Sequence, residues 1–276
     1  MNTRSRVAAL QMISGGDVAT NLDSAAALIR RAVAERATFL VLPENFALMG
    51  QQEEDKLHIM EPWGDGPIQS FLADQARTHH IWLMGGTIPL ATPGGDRVRA
   101  ACLLLDPEGR CVARYDKIHL FDVALGPGTQ DTYNESNTIE SGMEVVVADT
   151  PCGRVGMSVC YDVRFPELYR RMHKENISMI AVPSAFTATT GRAHWEPLLR
   201  ARAIENLCYL VAANQGGRHG NGRETWGHSM VVNPWGEILA LVEHGEGIAC
   251  ADIDLGQLQA LRTRFPSLNH RKLNED

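Results

Sequence analysis

Apolar residues recur along the chain with two different spacings, and each spacing is typical of one kind of secondary structure. Short apolar runs rich in Val, Ile and Leu predict strands at 7–12, 38–42, 81–90, 101–105, 111–115, 155–160, 179–182, 209–213, 229–233, 237–242 and 248–253. Amphipathic segments with a helical repeat predict helices at 21–37, 66–80, 166–173, 193–207 and 255–265. Strands joined by hairpins mix with strands joined through helices, so we predict an α/β fold with mixed sheets covered by helices.

The composition is that of a globular protein with a large core. Of the 276 residues, 44% are apolar and 21% are charged. Length alone allows one large domain or two ordinary ones. Because no Pro/Gly/Ser-rich linker or low-complexity tract divides the sequence, we predict a single domain over residues 1–276 that ends in a polar tail at about 269–276.

Charge and targeting signals narrow the possible partners and compartment. The formal net charge is -7, with acidic and basic residues interspersed, which argues against a nucleic-acid partner or an anionic membrane surface. No signal peptide is evident, and no apolar run approaches the ~18 residues that a membrane helix requires. The six cysteines include no CxxC pair. We therefore predict a cytoplasmic location with reduced thiols.

Three chemically active residues follow predicted strands. Glu44 comes after 38–42, Lys117 after 111–115, and Cys160 ends the strand 155–160 just before a turn that leads into a helix. Strand ends in open α/β sheets are where loops present functional side chains from a rigid support. A cysteine between a strand and a helix also has the position of a nucleophile elbow. Each residue alone also has an ordinary structural interpretation, and spacing alone does not decide between a catalytic and a structural role.

Together the three residues form a consistent hydrolytic set. Glu44 would act as the general base that deprotonates the thiol of Cys160, would protonate the departing amine, and would then activate water against the thioester. Lys117, kept protonated beside Glu44, would donate to the oxyanion, and the backbone N–H of Tyr161 is a natural second donor. Losing one such donor typically lowers the rate by roughly 10²–10³.

Other sites have less support in the sequence. The histidines lack HExxH or paired Cys/His spacing, so we predict no metal and no cofactor. A papain-like pair of Cys160 with His119 lacks the local sequence of that fold, and the glycines of 216–222 lack a following GK[ST]. A catalytically silent binding protein of the same fold remains an alternative, although such a protein would be free to lose Cys160 or Lys117.

Five sequence blocks resemble the nitrilase superfamily of carbon–nitrogen hydrolases, specifically its Nit branch. They are LPEN (42–45), YDKIHLFD (115–122), CYDVRFPELYR (160–170), PSAFTATTGRAHWEPLLRARAIEN (183–206) and WGHSMVVNPWGE (226–237). The resemblance covers 7–265 and keeps the family's order of Glu, Lys and Cys. It implies a four-layer α-β-β-α sandwich that forms a homodimer or higher homo-oligomer. It further implies that Cys160 is the nucleophile, Glu44 the base and Lys117 the oxyanion stabiliser, and it gives an auxiliary role to Glu135 in TYNES.

The same resemblance suggests a class of substrate. Residues 215–236 are similar to deaminated glutathione amidases, and the alternative is an ω-amidase that acts on α-ketoglutaramate or α-ketosuccinamate. Both substrates are small amides that carry carboxylates, so cationic or hydrogen-bonding residues are needed near them. The candidates are Arg164, Thr187, Arg192, Arg218 and His219. The family often has a small residue or Pro at the position of Arg192, which leaves the substrate preference open.

Overall fold

The computed structural model describes residues 3–125 and 132–273, which contain seventeen strands and six α-helices. The strands are β1 (Arg4–Gln11), β2 (Phe39–Val41), β3 (Trp82–Met84), β4 (Ile88–Ala91), β5 (Val98–Leu105), β6 (Cys111–Asp116), β7 (Asp122–Ala124), β8 (Thr132–Asn134), β9 (Val147–Thr150), β10 (Gly153–Met157), β11 (Met179–Ser184), β12 (Tyr209–Asn214), β13 (Gly216–Arg218), β14 (Glu224–Trp226), β15 (Ser229–Val232), β16 (Ile238–Val242) and β17 (Gly247–Asp254). The helices are α1 (Val18–Ala34), α2 (Asp55–His58), α3 (Pro67–His79), α4 (Pro166–Lys174), α5 (Ala188–Asn206) and α6 (Leu255–Arg264). Short 3₁₀ turns cover Glu135–Asn137, Cys160–Arg164 and Ser267–His270.

The strands form two large mixed sheets and two small ribbons. The seven-stranded sheet has the order β17-β1-β2-β3-β5-β4, with β6 also paired to β5. The six-stranded sheet has the order β16-β15-β12-β11-β10-β9. The central strands β1, β2 and β3 run parallel, as do β10, β11 and β12, while hairpin partners run antiparallel. The ribbons are β7-β8 and β13-β14.

Alternation of side chains along the strands separates the two cores of the protein. Val7 and Ala9 of β1 join the core between the two sheets, whereas Ala8 and Leu10 join the core under α1 and α3. This two-residue period is what a sheet buried on both faces requires. On the far side, residues of α4 and α5 such as Tyr169 pack on the six-stranded sheet. The predicted α-β-β-α sandwich is confirmed.

Several predicted elements have different boundaries in the structure. The predicted strand 81–90 is divided into β3 and β4, because Gly86 has φ +58° and approaches Pro43 so closely that a Cβ atom would lie 2.1 Å from its carbonyl oxygen. The predicted strand 155–160 ends at Met157, and Cys160 instead begins a 3₁₀ turn. Helix α5 begins at Ala188, five residues before the predicted start, because Thr187 caps it.

Some elements carry no clear pattern in the sequence. The short strands β7, β8, β9, β13 and β14 and the helix α2 are absent from the predicted set. The predicted polar tail at 269–276 extends beyond the described residues, and the single-domain organisation stays a prediction. Within 3–125 and 132–273, no helix has both the length and the apolar character needed to cross a bilayer.

Candidate active site

The side chains of Glu44, Lys117 and Cys160 line one cavity. Nζ of Lys117 lies 2.8 Å from Oε1 of Glu44. The thiol of Cys160 lines the same cavity, close enough to Glu44 and Lys117 for the charges of both to affect its pKa. Three segments that are far apart in sequence therefore bring a sulfur, a carboxylate and an ammonium group together.

Glu44 is held through its side-chain carboxylate and through its backbone carbonyl group. Leu42 and Pro43 separate it from the end of β2, and Oε2 accepts a 2.8 Å hydrogen bond from the backbone N–H of Ala185, just after β11. Its carbonyl oxygen accepts a 3.1 Å bond from Nε2 of Gln215. These contacts tie the loop after β2 to the opposite sheet, so the carboxylate has a fixed position between the two sheets.

Lys117 directly follows β6, is almost fully buried, and is paired with two carboxylates. Besides Glu44, it contacts Oε1 and Oε2 of Glu135 at 2.9 and 2.7 Å. Burial opposes the charge on Lys117, but the two carboxylates outweigh it and hold its pKa well above the ordinary value. Burial likewise opposes ionisation of Glu135, and the charge of Lys117 outweighs it, so the pKa of Glu135 is lowered. Oε2 of Glu135 also accepts a 2.8 Å bond from the backbone N–H of Phe121.

Cys160 occupies a sharp turn between β10 and α4. Its φ of +48° lies in the left-handed region, which a side chain seldom adopts, and such strain recurs where a turn presents a nucleophile. The turn is stabilised by Asp162, whose Oδ2 accepts a 2.8 Å bond from the backbone N–H of Val159. The sequence prediction of an elbow is consistent with this geometry, although the preceding strand ends earlier than predicted.

Asp162 is a fully buried residue that the sequence analysis missed. It accepts hydrogen bonds from the hydroxyl of Tyr115 at 2.7 Å and from the backbone N–H of His119 at 3.1 Å. Nδ1 of His119 lies 2.7 Å from Oδ1 of the same carboxylate. The imidazole ring stacks on the ring of Phe165, with the two ring centres 3.7 Å apart. His119 is thus engaged beside the lysine loop and does not line the cavity that holds Cys160.

The electrostatics of the cavity keep the thiol of Cys160 protonated in the resting state. Burial, followed by the charge of Glu44, raises the pKa of Cys160, while Lys117 and a backbone hydrogen bond from Ala185 act in the opposite direction. A neutral thiol is a weak nucleophile, so attack requires that its proton be removed as the new bond forms. Glu44 lines the same cavity and is close enough to raise the pKa of the thiol, so its carboxylate is a candidate to accept that proton.

Aromatic and hydroxyl side chains form the remaining walls of the cavity. The lining includes Asn45, Phe121, Tyr161, Phe186, Thr187, Thr190 and Arg223. Thr187 has two roles, because its Oγ1 accepts a 3.3 Å bond from the backbone N–H of Thr190 at the start of α5 while the residue also faces the cavity. Arg223 is absent from the set of residues that the sequence suggested, since nothing in its local pattern marks it.

The structure does not bring the other sequence candidates into this cavity. Arg164 lies outside its lining, with its guanidinium 5.0 Å from the ring of Phe186. The guanidinium of Arg192 lies 6.0 Å from the ring centre of Trp226, and the side chain of Arg218 is exposed. Both ring nitrogens of His219 are engaged, Nδ1 with the carbonyl oxygen of Ser14 and Nε2 with the hydroxyl of Thr225, each at 2.8 Å. In the part of the chain that the structure describes, no group of three or more His, Cys, Asp or Glu side chains could hold a metal ion.

Comparison with known proteins defines the class to which this fold and cavity belong. The carbon-nitrogen hydrolase family description matches residues 6–263, and the chain belongs to that family. It is a hydrolase that acts on carbon–nitrogen bonds other than peptide bonds. The resemblance to the Nit branch that the sequence blocks indicated is confirmed.

Individual relatives cover almost the whole chain. It is 40% identical to the deaminated glutathione amidase of Yersinia enterocolitica, over 96% of this chain and 92% of the relative. Among solved structures, the Caenorhabditis elegans NitFhit protein has a TM-score of 0.91 at 39% identity, over 98% of this chain and 66% of that chain. Saccharomyces cerevisiae Nit3, described as a member of branch 10 of the nitrilase superfamily, has a TM-score of 0.88 at 30% identity, over 98% of this chain and 97% of that chain.

Proposed function

We propose that the chain is a deaminated glutathione amidase in which Cys160, Glu44 and Lys117 carry the reaction. The observation that carries the proposal is the ion pair of Lys117 with Glu44 inside the one cavity that Cys160 also lines. The curated relatives that bear this name, among them the Yersinia enterocolitica protein, support the substrate. Deaminated glutathione is a γ-amide whose acyl half is a 2-oxo acid and whose amine half is cysteinylglycine.

The first half of the reaction transfers the acyl group to the enzyme. Sγ of Cys160 attacks the amide carbon while Glu44 accepts the thiol proton. The charge that develops on the carbonyl oxygen is stabilised by the ammonium group of Lys117 and by the backbone N–H of Tyr161. The carbon–nitrogen bond then breaks, Glu44 returns its proton to the departing amine, and a thioester remains on Cys160.

The second half releases the acid and restores the enzyme. Glu44 accepts a proton from water, the resulting hydroxide attacks the thioester, and Lys117 again stabilises the oxyanion. The carbon–sulfur bond breaks, and the thiol of Cys160 recovers its proton from Glu44. Glu135 binds Lys117 through both of its oxygens, so its role is to keep the ammonium charged and in position throughout the cycle.

The decisive experiment measures both products from deaminated glutathione with the purified protein. We expect equal amounts of 2-oxoglutarate and cysteinylglycine, and a kcat/KM well above that for α-ketoglutaramate, the substrate of the alternative ω-amidase. Cys160→Ala should abolish turnover without changing the circular dichroism spectrum. A preference for α-ketoglutaramate would favour the ω-amidase, and turnover that survives in Cys160→Ala would eliminate the thioester mechanism.

We also propose that the protein forms a homodimer or a larger homo-oligomer. Large apolar side chains are exposed near β16, which is the edge strand of the six-stranded sheet. Two of them, Trp235 and Phe265, have their ring centres 5.6 Å apart. The set is Ile204, Trp235, Leu239, Leu241 and Phe265. Exposed apolar groups along an edge strand favour association with another copy. Sedimentation equilibrium should give at least twice the chain mass, and Trp235→Ser should weaken the assembly; a monomer at every concentration would contradict the proposal.

We propose the cytoplasm as the working compartment. All six cysteines are free thiols, and Cys160 must remain reduced to act as a nucleophile. Fractionation of cells that express the protein tests this location, since recovery of the active enzyme from any other fraction would contradict it.

A further inference from the structure

Arg223 lies where two cavities adjoin. It lines the inner cavity that contains Cys160. It also lines an open outer cavity formed by the loop after Leu48, the strand β8 and the turn before β14. Asn45, the residue after Glu44, is likewise common to both linings. A substrate with two halves can therefore place one half on each side of these two residues.

The guanidinium of Arg223 is fixed close to the reacting groups. Its Nη2 donates a 2.9 Å hydrogen bond to the carbonyl oxygen of Ala185, and the group lies 5.2 Å from the ring centre of Tyr133. The backbone N–H of the same Ala185 donates to Glu44. Backbone dimensions then place the guanidinium within about 9 Å of the Glu44 carboxylate, which is a distance that a short dicarbonyl chain can span.

The hydrogen-bonding capacity of Arg223 is largely unused by the protein. In the part of the chain that the structure describes, Nε of Arg223 is buried without a hydrogen-bond partner. Glu53 is near enough for Arg223 to help lower its pKa, but no carboxylate lies within ion-pair distance of Arg223 among the described residues. The charge of Lys117, the other cation of the inner lining, is already balanced by Glu44 and Glu135. A carboxylate that enters the inner cavity thus has one cation available, and a planar guanidinium is well suited to it.

We propose that Arg223 determines specificity by binding the carboxylate on the acyl half of the substrate. This inference rests on the proposed function, in which the acyl half stays bonded to Cys160 after the amine has left. That half must therefore remain in the inner cavity, where Arg223 is the available cation. The amine half lies towards the outer cavity, because Asn45 connects that cavity to Glu44, which protonates the leaving group.

The test compares two primary amides that differ only in the terminal group, glutaramate with a carboxylate and pentanamide with a methyl group. Arg223→Gln should lower kcat/KM for glutaramate by about 10- to 100-fold, as expected for loss of a charged hydrogen bond, and should change the value for pentanamide less than about 2-fold. Arg223→Lys should retain part of the preference because it keeps the charge. Arg218→Gln is the matched control, since Arg218 lies exposed on the same β13-β14 ribbon, and it should behave as the wild type.

Equal losses on both amides would overturn the proposal and would assign Arg223 to holding Ala185 and, through it, Glu44. No loss on either amide would also overturn it. A separate measurement is independent of turnover: calorimetric binding of 2-oxoglutarate should weaken by about 10- to 100-fold in Arg223→Gln. If the wild type bound 2-oxoglutarate more tightly than Arg223→Gln but hydrolysed no amide, the proposed function would fail and the role of Arg223 would stand. Equal affinity in both proteins, or no binding to the wild type, would contradict the role of Arg223.

Discussion

The hydroxyl of Tyr115 donates a 2.7 Å hydrogen bond to Oδ2 of Asp162, and both residues are fully buried. The same oxygen accepts from the backbone N–H of Val159, the residue before Cys160. Tyr115 belongs to β6, which is the strand that leads to Lys117. One carboxylate thus joins the element that presents the ammonium group to the turn that presents the thiol, and we interpret Asp162 as a positioning residue for the pair.

Removing the charge of Asp162 should therefore disturb the geometry as well as the stability. In Asp162→Asn, an uncharged amide that brings an NH₂ group of its own replaces the carboxylate that accepts several hydrogen bonds. The free energy of unfolding should therefore fall by about 2–3 kcal/mol, and kcat should fall about 10-fold or more with little change in KM. Tyr115→Phe removes the bond that the hydroxyl donates to Asp162 and the 3.3 Å bond that it accepts from the backbone N–H of Ile118, and should cost about 1–2 kcal/mol. Urea unfolding and steady-state kinetics measure the two effects, and a destabilised Asp162→Asn with normal kcat would limit Asp162 to a purely structural role.

The pairing of Lys117 with two carboxylates makes the site intolerant of a larger cation. Lys117 is 1% exposed, and a planar guanidinium cannot replace a compact ammonium group between Glu44 and Glu135. Lys117→Arg should lower kcat/KM by roughly 10²–10³, the usual effect of losing one oxyanion donor. The exposed Lys174→Arg on α4 is the matched control and should be unaffected. Near-normal turnover in Lys117→Arg would remove the oxyanion assignment.

Much of the site could be predicted from sequence because its members follow recognisable strands. Glu44, Lys117 and Cys160 each come after an apolar run of β-forming residues, so their positions at strand ends follow from local pattern. Arg223 was missed because it precedes β14, a three-residue strand whose partner β13 begins with two glycines and shows no alternation. Contacts between residues far apart in sequence, such as the bond from Tyr115 to Asp162, have no local signature.

The buried ion pair of Lys117 and Glu135 predicts a specific dependence of stability on pH. Since the pKa of Glu135 is lowered in the folded state from its ordinary 4.5, its ionisation contributes stability that is fully present above about pH 4.5 and is lost as the pH falls through the folded-state value. Glu135→Gln should be less stable than the wild type at pH 7, and the difference should narrow below pH 4.5. Chemical unfolding over this range tests the sign, and a gap that stays constant with pH would contradict it.

His219, a residue that the sequence suggested for substrate binding, titrates at higher pH than Glu135, and folding favours its neutral form. Its Nδ1 donates to the carbonyl oxygen of Ser14, its Nε2 accepts from the hydroxyl of Thr225, and burial lowers its pKa from the ordinary 6.5. The unfolded chain therefore binds a proton at higher pH than the folded chain, so the stability due to neutral His219 is present above pH 6.5 and is lost progressively below it. Ser14 also contacts Gln215, which in turn holds the carbonyl oxygen of Glu44, so the loss should extend to activity.

His219→Gln removes this titration, and its free energy of unfolding should change less between pH 7.5 and 5.5 than that of the wild type. The exposed His270→Gln serves as the control with the same substitution and should follow the wild-type curve. Because His219 lies outside the inner cavity, the variant should lower kcat without changing the preference for glutaramate over pentanamide. A selective loss of the carboxylate-bearing substrate in His219→Gln would instead return this residue to the binding site that its sequence position suggested.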